Sequence, residues 1–109
     1  MTTFSLVLAI VSEHFGVSRE VILSKDRHAQ YVLPRHVAMY LLRTRYGYSF
    51  PRLGRYFHRD HTSVMYAVEQ VANMTMDNQS DQEWLDEIRS TILRVRRNEK
   101  ETPFFKSRS

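Results

Sequence analysis

Two histidines, an arginine and an aspartate occupy four consecutive positions, His58 to His61, in the stretch FHRDHTSVMYA. Side chains of these types can act in a catalytic loop, ligate a metal ion or contact a partner molecule. The apolar residues that follow have a helical spacing, which indicates that the polar cluster stands at the beginning of a helix.

The first two possibilities fail on chemistry. The order His58-Arg59-Asp60 opens the catalytic loop of protein kinases, but that loop needs an asparagine five residues after the aspartate to hold magnesium. Met65 occupies this position. No pair of the five histidines has the His-Glu-x-x-His spacing, and the chain contains no cysteine, so no metal site is expected. We therefore expect neither an enzyme nor a cofactor.

Length and composition predict one small globular domain. The chain has 109 residues, of which 42% are hydrophobic, enough for a single core. The absence of cysteine is compatible with a cytoplasmic protein. The apolar segment from Phe4 to Val11 lacks the basic leader and cleavage site of a signal peptide and is too short to span a bilayer. The sequence therefore predicts a soluble, cytoplasmic protein without a membrane partner.

Basic charge is concentrated in one part of the chain. Between Arg19 and His61, nine basic and three acidic residues give a balance of +6, whereas residues 62–101 have a balance of −3. Seven of those nine basic residues are arginines between positions 27 and 59. Arginine offers a rigid fork of donors that suits phosphates and guanine edges. The asymmetry favours a nucleic-acid partner, although a solvated basic face gives the same composition.

The elements that position the polar cluster are all predicted to be helices, because no part of the chain alternates with period two over a useful length. Six helices are predicted, with boundary residues that cap or end them: Gly16 after the first, Ser18 before the second, Pro34 and Gly47 at the two ends of the third, Ser49 and Pro51 at the start of the fourth, Asp60 before the fifth, and the capping box Ser80 to Glu83 before the sixth. Ser24 to Leu33 is predicted to be a loop and Met74 to Gln79 a linker. The domain would cover residues 1–97, followed by a disordered tail over 98–109.

The fourth and fifth helices, over about residues 49–74, form a helix-turn-helix pattern. In this motif the N-terminal residues of the second helix contact base edges in the major groove of DNA. Asp60, His61 and Thr62 occupy these positions. Aspartate accepts from cytosine, histidine bonds to purine edges, and the threonine methyl group packs on thymine. Asp60 has a second interpretation as the N-cap of the helix, and the two roles do not exclude each other.

Three segments carry a more specific signal: Leu33 to Leu41 (LPRHVAMYL), Ser49 to Gly54 (SFPRLG) and Arg59 to Val64 (RDHTSV). With these residues at this separation, the chain resembles the C-terminal DNA-binding domain, domain IV, of the bacterial chromosomal replication initiator DnaA. The resemblance covers roughly residues 4–95 and implies an all-α fold that contains a helix-turn-helix.

The resemblance implies a division of contacts between the two grooves of DNA. Asp60, His61 and Thr62 would contact bases in the major groove, and Arg27 would enter the adjacent minor groove. The implied contacts with the sugar-phosphate backbone come from Arg35, His36, Arg43, Pro51 and Ser63. The basic charge around these positions adds Lys25 and Arg59 to the expected backbone contacts.

Three features depart from the family pattern. His58 alone stands where the family usually places two glycines, which makes the turn one residue shorter. The loop before the third helix is less basic, with Ala29, Gln30 and Leu33 where arginine or a small polar residue is common. Ser63 replaces a second threonine. We expect the first change to alter the turn and the angle at which the fifth helix enters the groove.

The expected function is sequence-specific binding of double-stranded DNA at DnaA-box-like sites, by a monomer, in the initiation of DNA replication or its regulation. With glycines only at positions 16, 47 and 54, the chain has no Gly-x-x-x-x-Gly-Lys-Ser/Thr loop, so neither a nucleotide partner nor ATPase activity is expected. The chain would be an excised domain or a free-standing one. The alternatives are a transcription regulator, or an adaptor or antagonist that binds replication proteins through the acidic last helix and Phe104-Phe105.

Overall fold

The architecture consists of helices whose ends follow the capping residues. The computed structural model describes the backbone of residues 1–108 and the side chains of residues 1–98. Within residues 1–108 it contains no strand, and its helices are α1 (Thr3–Phe15), α2 (Arg19–Leu23), α3 (Ala29–Tyr46), α4 (Phe50–Phe57), α5 (His61–Asp77) and α6 (Gln79–Arg108). The predicted all-α fold class is confirmed.

Four of the predicted helix boundaries have the expected geometry. The hydroxyl groups of Ser18 and Ser49 accept hydrogen bonds from the first turns of α2 and α4, at 3.1 and 3.2 Å. Gly16 and Gly47 end α1 and α3 in the left-handed conformation, with φ of 68° and 69°. Glycine adopts this conformation without the Cβ clash that other residues meet, so both helices stop where the sequence predicts.

Helix α3 lies at the centre and packs against α1, α2, α4 and α5, while α6 packs across α1 and α5. The predicted apolar face of α3, from Val37 to Leu42, is buried. The apolar stripe of α5 contributes Val64, Ala67 and Val71 to the same core. Its opposite face remains exposed, as the sequence predicts for Thr62, Tyr66, Gln70 and Asn73. The core therefore holds α5 with one long face directed to solvent.

The start of α3 is a correction to the sequence-based prediction. The helix begins at Ala29, five residues before Pro34, and the carbonyl group of His28 accepts from the N–H groups of Tyr31 and Val32. Pro34 is buried inside the helix, not in its first turn. A proline at this position cannot donate a hydrogen bond to the carbonyl group of Gln30. The predicted loop therefore shortens to residues 24–28.

The junction between α5 and α6 is the second correction. The predicted linker over Met74 to Gln79 is helical except for Asn78. The side chain of Asn78 accepts from the N–H group of Asp81 at 3.1 Å, so Asn78 caps α6 in place of Ser80. The amide group of Gln82 donates to the carbonyl oxygen of Thr75 at 2.7 Å. These two bonds provide partners for backbone groups at the end of α5 and the start of α6, so a single residue is enough to separate the helices. The polar composition of the segment did not indicate so short a connection.

Helix α6 continues beyond the predicted end of the domain. It is held to the core by Leu85, Ile88 and Ile92, and the guanidinium group of Arg96 donates to the hydroxyl group of Thr3 at 2.8 Å. The backbone is helical to Arg108, where the sequence predicts a disordered tail from residue 98. The role suggested for Phe104-Phe105 concerns side chains that lie outside the described residues.

Neither a membrane span nor a grouped set of metal ligands occurs in the part of the chain that the structure describes. No helix there is long and apolar enough to cross a bilayer. No three side chains of the His, Cys, Asp and Glu types are grouped there for a metal ion.

Candidate nucleic-acid interface

The turn between α4 and α5 is closed by a contact that glycine permits. Gly54 is buried in α4, and a Cβ atom added to it would lie 2.6 Å from the carbonyl oxygen of Arg59. The N–H group of Arg59 donates to the carbonyl oxygen of Gly54 at 2.8 Å. The start of α5 therefore lies as close to α4 as the two backbones allow. Gly54 was not predicted as a site residue, and a glycine inside a helical pattern is the signal that indicates such a close approach.

A single left-handed residue, His58, makes the turn that follows α4. Its φ is 56° and its ψ is 46°. Among the described residues, no other residue except glycine has a positive φ. Histidine tolerates this region better than most side chains, but glycine occupies it with less strain. The shorter connection expected from the sequence is thus formed by one histidine between α4 and Arg59.

The first turn of α5 presents its side chains to solvent. Asp60, His61, Thr62 and Ser63 are all exposed. The hydroxyl group of Thr62 donates to Oδ2 of Asp60, and Nδ1 of His61 lies 3.6 Å from Oδ1 of the same carboxylate. The bond from Thr62 is the main cause of a lowered pKa of Asp60, followed by attraction to His61. The three predicted base-contacting residues therefore form one exposed group around an ionised carboxylate.

Asp60 stands at the N-cap position of α5, but its side chain does not cap the helix. Its backbone is extended, with φ −64° and ψ 144°, and its carboxylate makes no capping hydrogen bond. The simple N-cap interpretation therefore accounts for the position of Asp60 and not for the direction of its carboxylate, which is paired with Thr62.

The loop between α2 and α3, residues Ser24 to His28, is ordered by side chains that bond to its own backbone. The hydroxyl group of Ser24 donates to the carbonyl oxygen of Val21 and accepts from the N–H group of Asp26, at 2.7 and 3.1 Å. Oδ1 of Asp26 accepts from the N–H group of His28 at 3.0 Å. The intervening Lys25 and Arg27 are exposed. Alternate residues thus bond inward while the two basic side chains remain available to a partner.

Arg35 is a correction to the predicted set of phosphate contacts. Only 2% of its surface is exposed. Its Nε donates to the carbonyl oxygen of Ile22 at 2.7 Å, and its Nη2 donates to that of Val21 at 2.9 Å. Burial, followed by repulsion from Arg59, lowers its pKa. Because this guanidinium group holds the end of α2 on α3, the structure gives it no position from which to bind a phosphate.

Two further arginines in the predicted set are partly engaged with the protein. Nη1 of Arg43 donates to the carbonyl oxygen of Tyr48 at 3.2 Å, and its guanidinium carbon lies 4.3 Å from the ring centroid of Phe50. Arg59 donates to the carbonyl oxygens of Phe57 and Ser24, each at 3.0 Å. Both side chains are half-buried. They shape the interface and keep only part of their donor capacity for a ligand.

The remaining predicted backbone contacts lie at or near the surface. Pro51 and Ser63 are exposed. His36 is half-buried, and its ring is nearly perpendicular to that of Tyr66, with 6.5 Å between the ring centroids. His36 and Arg27 both line an open groove of about 630 Å³ between the start of α3 and α5. Pro51 lines a second depression, of about 530 Å³, together with Asp60 and His61. The second depression therefore borders the beginning of α5.

Comparison with known proteins gives a consistent match over the first four helices and most of α5. The family described as "Bacterial dnaA protein helix-turn-helix" matches residues 4–71. The chromosomal replication initiator protein DnaA of Acholeplasma laidlawii is 39% identical over 77 residues, which is 69% of this chain and 17% of that protein. Its counterpart DnaA 1 from Chlamydia pneumoniae is 36% identical over 75 residues, 69% of this chain and 16% of that protein. The DnaA of Xanthobacter autotrophicus is 46% identical over 66 residues, 60% of this chain and 13% of that protein. The chain thus spans less than a fifth of the length of these relatives.

Proposed function

This chain belongs to the family of bacterial DnaA helix-turn-helix domains, and we propose that it binds duplex DNA sequence-specifically at DnaA-box-like sites. The observation that carries the proposal is the exposed group of Asp60, His61 and Thr62 on the first turn of α5. A recognition helix contacts bases with its N-terminal turn, and this turn presents an acceptor, a ring nitrogen pair and a methyl group. Those are the groups that distinguish base pairs in the major groove.

The proposed minor-groove contact is Arg27. Its side chain is exposed at the tip of an ordered loop, next to the exposed Lys25. A narrow, A·T-rich minor groove has an enhanced negative potential that attracts an inserted arginine. Because minor-groove edges separate mainly A·T from G·C, Arg27 would contribute a coarse preference, whereas the first turn of α5 would select individual bases.

The proposed contacts with the sugar-phosphate backbone are those of the predicted residues that keep an accessible donor or surface. Lys25, His36, Arg43, Pro51 and Ser63 meet this condition, whereas Arg35 does not. Phosphate contacts fix the position of a protein on DNA and carry little sequence information. Their number sets the dependence of affinity on salt, with a slope of about −0.9 per phosphate neutralised.

We place this binding in the initiation of DNA replication or its control, because the relatives that the chain resembles are named replication initiators. The proposed activity is binding alone, by a monomer and without ATP hydrolysis. A DNA-binding module could compete with an initiator for its sites or regulate transcription, and the sequence of the bound site distinguishes these roles. Sites clustered at a replication origin favour the first role, and promoter sites favour the second.

The test is selection from a random duplex library at two salt concentrations. We expect one enriched motif, with affinity that falls steeply as salt rises. Replacement of Thr62 by alanine should relax the motif at one or two positions, and the partly exposed Thr91 on α6, changed to alanine, serves as the control. Equal binding to all duplexes would contradict the proposal. Absence of salt-dependent DNA binding would favour a protein-interaction role for the acidic, exposed side chains Glu83, Asp86 and Glu87 of α6.

A further inference from the structure

One hydrogen bond connects the loop that we assign to the minor groove with the start of α5, which we assign to the major groove. Nη2 of Arg59 donates to the carbonyl oxygen of Ser24 at 3.0 Å, across 35 positions of sequence. Ser24 begins the loop that carries Lys25 and Arg27. Arg59 immediately precedes Asp60, the first residue of the proposed base-contacting group. Loop and recognition helix are thus joined directly through one side chain, in addition to their shared contacts with α3.

The Arg59 end of this connection is held firmly. Its Nη1 donates to the carbonyl oxygen of Phe57 at 3.0 Å, and its backbone N–H group donates to Gly54 at 2.8 Å. The backbone of Arg59 lies so close to Gly54 that a Cβ atom added to Gly54 would overlap with the carbonyl oxygen of Arg59. The guanidinium group therefore extends from a fixed point beside the start of α5.

The Ser24 end is equally well defined. Arg35 donates to the carbonyl oxygens of Val21 and Ile22, and Arg59 donates to that of Ser24. Two guanidinium groups thus occupy three carbonyl groups at the end of α2. The hydroxyl group of Ser24 in turn fixes the N–H group of Asp26, one residue before Arg27. A displacement of the Ser24 carbonyl group would be transmitted to Arg27 over three residues of backbone.

Arg59 is close enough to Arg27 for the two positive charges to repel each other. Burial, followed by repulsion from Arg27, lowers the pKa of Arg59. Two guanidinium groups that repel each other remain close only where other bonds hold them, and the carbonyl groups of Phe57 and Ser24 supply those bonds. The fork of arginine can donate to both carbonyl groups at once, whereas the single ammonium group of lysine has a different reach and geometry.

We propose that Arg59 is a positioning residue, which sets the distance and orientation between the minor-groove loop and the recognition helix and acts on DNA through Arg27. The inference rests on the proposed function, because it assumes that Arg27 and the first turn of α5 contact one duplex together. It replaces the expectation that Arg59 itself binds a phosphate. The hydrogen bond from Arg59 to Ser24 then sets which spacing between the major-groove and minor-groove segments the protein prefers, although the bond itself does not contact DNA.

The first experiment is a double-mutant cycle with Arg59→Lys and Arg27→Ala. Affinities are measured on the selected duplex, on one with its A·T flank replaced, and on a random duplex, over a range of salt. Arg59→Lys should lower affinity for the selected duplex about five- to tenfold, the net value of one hydrogen bond, with the salt slope unchanged. It should also reduce the flank preference. In the Arg27→Ala background the same change should cost less than about twofold, because the residue through which it acts is gone.

Arg45→Lys is the matched control, since Arg45 is an exposed arginine in the last turn of α3. The variant should bind like the unaltered chain. Multiplicative losses in the double variant would show that Arg59 and Arg27 act independently and would overturn the inference. Wild-type affinity for Arg59→Lys together with a reduced salt slope for Arg59→Gln would show a phosphate contact instead. If the unaltered chain does not prefer one duplex, the proposed function fails before the inference is reached.

A measurement on the unaltered chain is independent of the folding of any variant. The guanidinium protons of Arg59 are followed by NMR during titration with the selected duplex. We expect a persistent hydrogen bond to the Ser24 carbonyl group in the free and bound states. Transfer of this guanidinium group from the carbonyl oxygen to a DNA phosphate on binding would overturn the inference.

Discussion

The first turn of α5 and the loop from Ser24 to His28 present the proposed DNA contacts, but different interactions hold the two segments in place. The turn belongs to a helix of 17 residues whose apolar stripe is buried in the core. The loop has no regular structure. The side chains of Ser24 and Asp26 accept hydrogen bonds from its backbone N–H groups, Arg59 donates to the carbonyl oxygen of Ser24, and Arg35 holds the end of α2 just before the loop. A periodic pattern is therefore sufficient to locate the first segment, whereas the second depends on individual side chains that lie far away in sequence.

The largest expected effect comes from removing the support of the loop. Arg35→Met keeps an apolar stem of similar length but leaves the carbonyl groups of Val21 and Ile22 without their donor. We expect the free energy of unfolding to fall by about 3 kcal/mol, since buried unsatisfied polar groups cost about 1–3 kcal/mol each. Thermal and denaturant unfolding provide the measurement.

The same variant separates a structural role of Arg35 from a phosphate contact. Under conditions in which it is folded, its salt slope for DNA binding should equal that of the unaltered chain. Arg43→Ala is the comparison, because the side chain of Arg43 is only half-buried and can still reach a phosphate. The salt slope of this variant should fall by about one unit. A lower slope for Arg35→Met, with unchanged stability, would show that its guanidinium group faces DNA.

This contrast also explains which features the sequence could predict. The caps at Ser18 and Ser49 and the left-handed glycines at positions 16 and 47 act within one helical turn, so local patterns suffice to predict them. The burial of Arg35 depends on α2, 13 positions away, and the bond from Arg59 crosses 35 positions. Seven arginines in one basic segment look alike in sequence; only packing separates those that bond to carbonyl groups from those that face solvent.

The next effect in size concerns the kind of specificity that each segment supplies. His61→Ala and Thr62→Ala should each relax base preference at one or two positions, by about 1–3 kcal/mol, because they remove a contact with a base edge. Arg27→Ala should instead weaken the preference for an A·T-rich flank on one side of the site. One panel of single-base-substituted duplexes measures all three variants. Equal losses of His61→Ala and Thr62→Ala on every duplex would mean that the first turn of α5 contacts no bases.

A smaller effect is expected at the turn that connects α4 to α5. Insertion of a glycine after His58 lengthens the connection and should change the angle of the recognition helix. We expect a change of the motif enriched from a random library, with a change in unfolding free energy of no more than about 1–2 kcal/mol, the scale of strain at one left-handed residue. The matched control is His58→Gly, which relieves strain at φ 56° without changing the length. The same motif in both variants would show that turn length does not set the orientation of α5.

The smallest expected effect is a pH dependence at His36, which lies between the two segments. Burial, followed by repulsion from Arg35 and Arg59, lowers the pKa of His36 in the free protein. Arg27 and the neutral Tyr66 line the same groove, and the charged groups that act on the ring, Arg35 and Arg59, are both basic. Because the pKa is lowered in the folded state, unfolding takes up protons as the pH falls below the ordinary histidine value of about 6.5, and stability decreases there.

A phosphate placed against this ring would favour the protonated form and raise the pKa. DNA binding should therefore take up a proton near pH 6, and affinity should rise as the pH falls from 7 to 5.5 by more for the unaltered chain than for His36→Gln. Binding titrations in buffers of different ionisation enthalpy measure this uptake. An identical pH dependence of the two proteins would show that no phosphate lies against His36 in the complex.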